Sequence, residues 1–388
     1  MKRKATGEYV VTSYGGEKMR AFVPSPLPPV PPLEATPALR DLADQAILEL
    51  GRLDGIASVL PDTALFLYTY VRKEAVLSSQ IEGTQSSLSD LLMFEVEGAP
   101  GAPAEDVREV SNYVSATEYG LKRLREGFPL SNRLLREMHT RLLAKGRGCD
   151  KSPGEFRRSQ NWIGGTRPAT AAFVPPPPDR VADCMGHLEK YLNDQPERTP
   201  ALFKAALAHA QFETIHPFLD GNGRLGRLLI TLLLCHDKVL SEPMLYLSLY
   251  FKQNRGEYYD LLAQIRTDGD WERWAAFFLK AVSSTAGEAV RTANRLSSLV
   301  RKDRDGVREI GRVAGSALRV LDLLVRRPVI SIPVACAETG LAPNTVAKVM
   351  AKLAGAGLVK EVTGRRRNRV FSYHRYLKVL NEGTETAR

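Results

Sequence analysis

The stretch HPFLDGNGRLGR at residues 216–227 decides how the middle of this chain folds. It places one histidine, one aspartate and two arginines around a Gly-Asn-Gly. The runs on either side, ALFKAALAHAQFETI and LLITLLLCHDKVL, are long and apolar enough to form buried helices. The polar cluster is therefore predicted to lie at a junction between two helices.

This junction is suited to binding an anion. The glycines permit a tight turn, and the helix that begins at Asn222 has first-turn N–H groups without intrahelical partners. Such a turn is a ready phosphate site. Two arginines three residues apart on the same first turn are unfavourable unless an anion binds there. We therefore predict phosphate binding by Gly221, Asn222, Gly223, Arg224 and Arg227.

Two further groups in the stretch carry chemistry. Asp220 supplies a hard oxygen ligand of the kind that holds Mg²⁺ beside phosphates. His216 is the one group in the cluster that accepts a proton near neutral pH, which makes it the candidate general base. Pro217 is predicted to end the first helix, and Phe218 to anchor the loop in the core. The alternative is a structural histidine beside an ordinary Gly-Asn-Gly turn.

The stretch resembles the Fic family motif HxFx(D/E)GNGRxxR and matches it at every specified position. Further landmarks of that family follow in order over residues 20–280: LPPVPPL, EAVLSSQIEGT, RRSQNWIGG and AAFVPPPP. The resemblance implies a mainly α fold with a Fic-type helical domain and a β-hairpin flap. It also implies protein adenylylation, the transfer of AMP from ATP to a Ser, Thr or Tyr hydroxyl of a target protein.

The resemblance assigns a role to each motif residue. His216 would deprotonate the target hydroxyl, and Asp220 would hold Mg²⁺ across the α- and β-phosphates. Asn222 and the neighbouring N–H groups would cradle the α-phosphate. Arg224 would contact the β-phosphate and Arg227 the γ-phosphate. These roles agree with phosphoryl-transfer chemistry, which depends mostly on positioning and charge stabilisation.

Two more segments are interpreted through the resemblance. NWIGGTRPATAAFV is predicted to form the flap hairpin, which would dock the target by strand addition. GEYYDLL resembles the nucleobase-pocket helix, so Tyr258 or Tyr259 would contact adenine, with core packing as the alternative. The predicted docking residues are Asn161, Trp162, Ile163, Gly164, Gly165 and Thr166.

SSQIEG at residues 78–83 matches the inhibitory pattern (S/T)xxxE(G/N) of the same family, with Ser78, Glu82 and Gly83 in register. A carboxylate in the last turn of a helix faces the negative end of the dipole, at a cost of about 0.3–1 kcal/mol unless a cation compensates. Arg227 is the candidate cation. Their pairing would withdraw Arg227 from the γ-phosphate. Some relatives with this element also remove AMP from targets, an activity that the sequence leaves open.

The positive charge is confined to the C-terminal part. Residues 301–388 hold 18 Lys and Arg against 8 Asp and Glu, so the whole net charge of +10 lies there. The order of helix, helix, helix and β-hairpin in this part is typical of a winged helix-turn-helix. Its third helix is predicted to bury Val346, Val349, Met350 and Leu353. The predicted DNA-binding residues are Asn344, Thr345, Lys348, Lys352, Arg365, Arg366, Arg367 and Arg369. The alternative for this domain is protein contact.

The remaining sequence features concern membrane contact, cysteine pairs and the division into domains. No apolar run approaches the ~18 residues of a membrane span, and the N-terminus lacks the apolar region of a signal peptide. The four cysteines form no CxxC pair. We expect a cytoplasmic protein without membrane contact. The predicted units are an N-terminal helical region at 1–104, a Fic catalytic domain at 105–282, a linker helix at 283–308 and a winged helix at 309–388.

The sequence therefore predicts an autoinhibited adenylyltransferase that uses ATP and Mg²⁺. Two alternatives stay open: a DNA-binding regulator whose Fic domain senses nucleotide without transfer, and a de-adenylylating or other phosphotransfer enzyme. A kinase-like subgroup departs from the Gly-Asn-Gly that this chain keeps. The sequence does not decide whether the target is another protein or the chain itself, or whether the protein forms a homodimer.

Overall fold

The computed structural model describes residues 6–59, 63–97, 104–167, 170–365 and 369–385. These residues form a mainly helical fold with two small antiparallel sheets. The strands are β1 (Gly7–Tyr14), β2 (Glu17–Pro24), β3 (Val329–Ser331), β4 (Lys360–Glu361) and β5 (Val370–Ser372). The helices are α1 (Pro37–Val59), α2 (Thr63–Ile81), α3 (Leu88–Glu97), α4 (Ala104–Arg125), α5 (Asn132–Leu142), α6 (Pro178–Leu192), α7 (Ala201–Ile215), α8 (Asn222–His236), α9 (Ser248–Gln253), α10 (Arg255–Asp268), α11 (Trp271–Arg308), α12 (Ala314–Arg326), α13 (Ile332–Thr339), α14 (Pro343–Gly355) and α15 (His374–Asn381).

The first two strands form a hairpin that sequence analysis missed. β1 and β2 pair with Val10 opposite Ala21, and the turn uses Gly15 and Gly16, both at positive φ. The signal was present as an alternating run, a Gly-Gly and a second run. The proline-rich segment at residues 25–33 follows. It contains no helix, as its composition predicts, and its Leu27 is buried.

The predicted helices of the N-terminal region are confirmed as α1, α2 and α3. α2 ends at Ile81, and Gly83 follows it with φ +99°, a left-handed conformation that favours glycine. The sequence also predicts a helix end at Gly98, which lies outside the described residues. Further along, Ser131 caps α5 by accepting a hydrogen bond from the Leu134 N–H. The sequence predicts that this helix ends at Gly146, but it ends at Leu142.

The predicted flap hairpin is short. In its described residues, 161–167 and 170–174, the two runs pair through one antiparallel bridge, in which Ile163 and Phe173 exchange backbone hydrogen bonds of 2.8 and 3.0 Å. Gly164 and Gly165 both have positive φ, so the chain leaves the extended conformation directly after the bridge. The next residue on the return side, Val174, accepts a hydrogen bond from the Phe22 N–H in β2. The flap is thereby attached to the N-terminal hairpin.

α11 is one continuous helix from Trp271 to Arg308, so the residues 283–308 that were predicted as a separate linker helix form the second part of a longer helix. It packs against α1, α7, α12 and α15. The Trp274 indole donates to the Ala206 carbonyl of α7 at 2.8 Å. Near the other end, Asp303 accepts from the Tyr373 hydroxyl at 2.6 Å. One hydrophobic core therefore runs from the N-terminal helices into the C-terminal part.

The C-terminal part follows the order α12, β3, α13, α14, β4, β5, α15, with the sheet order β3-β5-β4. In α14 all four predicted core residues are buried. The opposite face leaves Asn344, Lys348 and Lys352 exposed and Thr345 half-buried. Arg365 is exposed and Arg369 is half-buried, whereas Arg366 and Arg367 lie outside the described residues.

α15, which sequence analysis did not predict, packs back onto α2, α3 and α11. Within the described part of the chain, no helix is both long and apolar enough to cross a membrane.

Candidate active site

The junction between α7 and α8 has the predicted geometry. His216 caps α7 with φ +50°, and its N–H donates to the Phe212 carbonyl at 2.9 Å. Pro217 cannot continue the helix because its nitrogen carries no hydrogen. Gly221 takes φ +78°, and α8 begins at Asn222. The loop between them is therefore only a few residues long, and it holds His216 beside the N-terminus of α8.

The Asn222 side chain closes this loop. Its Oδ1 accepts from the Phe218 N–H at 2.9 Å, and its Nδ2 donates to the Phe218 carbonyl at 2.8 Å. Both ends of the amide thus hold the loop, while Nδ2 has a second hydrogen to donate, so phosphate binding by Asn222 stays a prediction. Asn222 builds the loop, and its backbone N–H also lies at the end of the helix.

His139 of α5 supports the loop from below, a role that sequence analysis missed. Its ring is fully buried and stacks on Phe218 with 3.8 Å between centroids. The Gly154 N–H donates to Nδ1 at 2.8 Å, so Nε2 carries the proton and donates to the Asp220 carbonyl at 2.9 Å. Burial lowers the pKa of His139 to about 4. One signal for this role was present in the sequence: His139 occupies a position on the inward-facing side of a helix with regular apolar spacing.

His216 itself is half-buried and lies against Arg157. Burial, and then the positive charge of Arg157, lower the pKa of His216 to about 4, with Glu82 and Asp220 acting in the opposite direction. The imidazole is therefore neutral at pH 7 and can accept a proton.

The predicted contact between Glu82 and Arg227 is present. The Arg227 Nη2 donates to Glu82 Oε1 at 2.7 Å and to the Ser78 carbonyl at 2.9 Å. Its Nε donates to the Ser78 Oγ at 2.9 Å. The guanidinium is buried. Burial alone would raise the pKa of Glu82, but the charge and hydrogen bond of Arg227 outweigh it and lower that pKa. All three donor contacts thus go to residues 78–83, the stretch at the end of α2 that matches the pattern (S/T)xxxE(G/N).

The Glu82 carboxylate also lies at the anion site. A Cβ built on Gly223 would stand 2.3 Å from Glu82 Oε1 and 3.0 Å from Arg227 Nη1. Gly223 is in the first turn of α8, where the free N–H groups attract negative charge. The chain's own carboxylate therefore occupies the space over this turn, and the absence of a side chain at Gly223 makes the approach possible.

Arg224 has a buried acidic partner that sequence analysis missed. Its Nη1 donates to Glu109 Oε2 of α4 at 3.0 Å, and its Nη2 lies 3.5 Å from Asp220 Oδ1. The half-exposed Arg147 reaches the same Glu109 oxygen at 3.3 Å. Burial raises the pKa of Glu109, and the two arginines oppose that shift. The sequence could not pair residues 115 positions apart.

The two tyrosines differ in their surroundings. Tyr258 is buried, and its hydroxyl donates to His209 Nε2 at 2.9 Å, while His209 Nδ1 donates to the Gly226 carbonyl at 2.9 Å. Tyr258 is thus a core residue. Tyr259 is 42% exposed, with Arg255 5.7 Å from its ring centroid. Of the two, Tyr259 has ring surface that a nucleobase can reach.

The predicted flap residues also differ in their surroundings. Asn161 donates to the Phe218 carbonyl at 3.1 Å, so it belongs to the support of the central loop. Trp162 packs beside Met19 and Val174. Ile163, Gly164, Gly165 and Thr166 are exposed.

A buried carboxyl group, Glu213 of α7, was also missed. Burial raises the pKa of Glu213 to about 7. Its Oε1 packs close to Gly226, where an added Cβ would lie only 2.3 Å from this oxygen.

Comparison with known proteins agrees with this geometry. Residues 129–234 match the family model described as Fic/DOC family, and residues 40–122 match the model described as Fic/DOC family N-terminal. These two ranges of the chain are therefore similar to the Fic/DOC family. Within the matched ranges lie the motif at residues 216–227, the segment at residues 78–83 and Glu109.

Individual relatives and solved structures are similar to this chain in sequence or in fold. The chain is 37% identical over 153 residues to a protein adenylyltransferase Fic of Aedes aegypti and 35% identical over 151 residues to that of Drosophila melanogaster. Each alignment covers 38% of this chain and 27% of the relative. A Fic family protein from Desulfovibrio desulfuricans has a similar fold, with a TM-score of 0.57 and 21% identity over 88% of this chain and 97% of that one. Fic-1 of C. elegans has a TM-score of 0.50 and 22% identity, over 68% of this chain and 75% of that one.

The ion pair between Glu82 and Arg227 predicts a pH-dependent contribution to stability. Because the folded state lowers the pKa of Glu82, its contribution is present above the ordinary value of 4.5 and is lost as the pH falls below it. We expect Glu82→Gln to reduce the free energy of unfolding at pH 7 by about 1–3 kcal/mol. Urea denaturation of both proteins from pH 7.5 to 3.5 should show this difference shrinking on the acid side.

The matched control is Glu155→Gln, which removes an exposed carboxylate 3.1 Å from Arg158 and should change stability little at any pH. A Glu82→Gln difference that stays constant across the pH range would contradict the ionic origin of the contact.

Proposed function

We propose that this protein transfers AMP from ATP to a hydroxyl group of a target protein. The proposal depends on one observation: neutral His216, Asp220 and the N-terminus of α8 converge in a single short loop. The similarity to proteins named protein adenylyltransferase supports the same chemistry.

His216 acts as the general base in this proposal. Its neutral imidazole takes the proton of the target hydroxyl, and the oxygen attacks the α-phosphorus of ATP. The bond between the α-phosphorus and the bridging oxygen breaks, and pyrophosphate leaves. The first-turn N–H groups of α8 stabilise the developing negative charge because they are already oriented toward it.

The donor set fits Mg²⁺ that is shared with the nucleotide. Within the described ranges, no group of three or more His, Cys, Asp or Glu side chains forms a protein cage for a metal. A single partly exposed carboxylate, Asp220, lies beside the phosphate site, which is how proteins hold Mg²⁺ together with substrate phosphates. When bound, the ion would neutralise phosphate charge.

Arg224 and Arg227 are proposed as ligands of the β- and γ-phosphates. Arg227 cannot serve a γ-phosphate while it donates to Glu82 and Ser78, and the Glu82 carboxylate repels an anion from the same turn. The present conformation is therefore the inhibited one, and Glu82 must move for productive binding.

The exposed flap residues 163–166 are proposed to dock the target. Their backbone lies at the end of the Ile163–Phe173 bridge, an edge that can accept an added strand.

Incorporation of label from ATP tests the transferase and its inhibition together. Wild type, Glu82→Gly and Glu82→Gly/His216→Ala are incubated with Mg²⁺, a cell lysate and ATP labelled at the α-phosphate. We expect faint protein labelling by wild type, strong labelling by the single variant and none by the double variant. Parallel reactions with γ-labelled ATP should stay dark, since pyrophosphate leaves.

The other outcomes point to the alternatives. Labelling from γ-labelled ATP would indicate phosphate transfer. Binding of Mg²⁺-ATP to Glu82→Gly without any label on protein would favour a nucleotide sensor. Loss of label from pre-modified protein in wild type but not in Glu82→Gly would indicate AMP removal that depends on the glutamate.

We also propose that the C-terminal part is a winged helix that binds DNA. The observation in favour is the face of α14 opposite its buried side, where Asn344, Lys348 and Lys352 are exposed on the part of the chain that carries the net charge.

Salt-dependent DNA binding tests this second function. We expect Lys348→Gln to weaken binding to a labelled duplex and to reduce the slope of log K against log salt by about one. Lys280→Gln, which removes an exposed lysine from α11, should change neither value. Fluorescence anisotropy from 50 to 200 mM salt measures both, and equal behaviour of the two variants would contradict DNA contact by α14.

A further inference from the structure

Arg157 is a buried cation without an acidic partner. Its side chain is 3% exposed, and among the described residues no carboxylate contributes to its charge environment. Burial lowers its pKa to about 10, so it stays protonated at neutral pH. A buried charge of this kind is stable only if its hydrogen-bonding groups are satisfied in another way.

Main-chain carbonyls satisfy it. The Nε donates to the His216 carbonyl at 2.9 Å, and the Nη2 donates to the carbonyls of Pro176 and Ile215. The Arg157 N–H donates to the Pro217 carbonyl at 2.9 Å. One residue thus holds three consecutive peptide groups around His216 and joins them to Pro176, in the segment that leads into α6.

His216 needs such support because of its backbone. Its φ of +50° is a left-handed conformation that a residue with a side chain rarely adopts. The planar, rigid guanidinium reaches carbonyls on both sides of this position at once, which a flexible lysine ammonium does less well.

We propose that Arg157 is the residue that positions His216 for AMP transfer, by clamping the carbonyls of the chain on both sides of it. This inference rests on the function proposed above. The charge of Arg157 has a second consequence, since it favours the neutral imidazole. The other ionisable groups facing His216 are Glu82 from the end of α2 and Asp220 from the loop, and both favour the protonated ring.

Two substitutions separate the clamp from the charge. Arg157→Gln removes both, whereas Arg157→Lys keeps the charge and loses the fork. Arg158→Gln is the control, because it removes a neighbouring arginine whose side chain is 87% exposed. NMR titration of the His216 ring, assigned with His216→Ala, reports its pKa without any need for activity. Transfer is measured in the Glu82→Gly background.

We expect Arg157→Gln to raise the pKa of His216 by about one unit and to lower kcat about 100-fold, with the KM for ATP unchanged. Arg157→Lys should keep the parental pKa and still lose kcat, by a smaller factor. A His216 pKa and a kcat in Arg157→Gln equal to those of Arg158→Gln would overturn the proposal. If Glu82→Gly transfers no AMP, the proposed function fails, and the NMR titration still decides whether Arg157 controls His216.

A different set of contacts concerns the inhibitory helix. Gln80 lies between Ser78 and Glu82 in the last turn of α2. Its Nε2 donates to the Thr384 carbonyl at 2.8 Å, in the segment that follows α15, and to the Ser86 carbonyl at 2.9 Å. The C-terminal segment therefore touches the inhibitory pattern itself.

Lys252 of α9 completes this contact. Its ammonium donates to Gln80 Oε1 at 2.7 Å and to the carbonyls of Glu385 and Gly383 at 2.9 and 3.4 Å. The end of α15 is fixed nearby, since Asn381 donates to the Ser89 hydroxyl at 2.8 Å. Any movement of the end of α2 that withdraws Glu82 must break these bonds.

We infer that the C-terminal segment at residues 381–385 locks the inhibitory helix in place, so that displacement of this segment releases Glu82 from Arg227. This second inference also rests on the proposed function. It makes the C-terminal part a regulator of transfer, because anything that moves α15 acts on the last turn of α2.

Lys252→Met and Gln80→Leu test the lock, with Lys280→Met as the control on an exposed lysine. Loss of a charged hydrogen bond should raise labelling by the otherwise wild-type protein about tenfold. In the Glu82→Gly background the same variants should add nothing, because the inhibition is already removed. Ordinary destabilisation would lower labelling in both backgrounds.

Amide hydrogen exchange of residues 78–83 gives a readout that does not need activity. The exchange should be faster in Lys252→Met than in Lys280→Met. Equal exchange rates, or a rise in labelling that also occurs in the Glu82→Gly background, would overturn the lock. If Glu82→Gly itself is inactive, the transferase proposal fails, and the exchange data still test the mechanical coupling.

Discussion

The hydrogen bonds of Arg227 to Ser78 and Glu82 are the contact on which the rest of the site depends. The first turn of α8 presents unpaired N–H groups and two arginines, so it requires negative charge. In this structure the requirement is met from within the chain, by a carboxylate from the end of α2. That carboxylate gains a cation in return, which removes the penalty of its position at the negative end of a helix. Each helix end thus corrects the electrostatic defect of the other.

The residues around this contact are also polar and buried. Arg224 is held by Glu109, the central loop by Asn222 and His139, and the end of α7 by Arg157. Each of these groups is nearly inaccessible to water, so each hydrogen bond replaces one that solvent would otherwise make. Burial of such a network keeps the loop in one conformation. It also keeps His216 and His139 neutral at physiological pH.

The continuity of the core links the site to the C-terminal part. α11 crosses the predicted domain boundary without a break, and α15 returns to pack on α2 and α3. As a result, α2, which precedes Glu82, is contacted on one side by α8 and on another by the last described residues of the chain. A structure with a flexible linker at 283 would have separated these two parts mechanically.

The sequence by itself determined the helical architecture and the helix junction at residues 216–227, and it made Arg227 the candidate partner of Glu82. These follow from local patterns, namely helical periodicity, a proline and glycines at a turn, and charges placed at helix ends where the dipole disfavours them. The division into units at 104, 282 and 308 stays a prediction. Only the tertiary structure decided which residues hold the site from outside the motif. Glu109, His139 and Arg157 act through contacts between segments far apart in the chain, and such contacts leave no local pattern. For the same reason the sequence could not show that the Asn222 side chain closes the loop on Phe218, because the satisfaction of buried backbone groups depends on which neighbours the fold brings near.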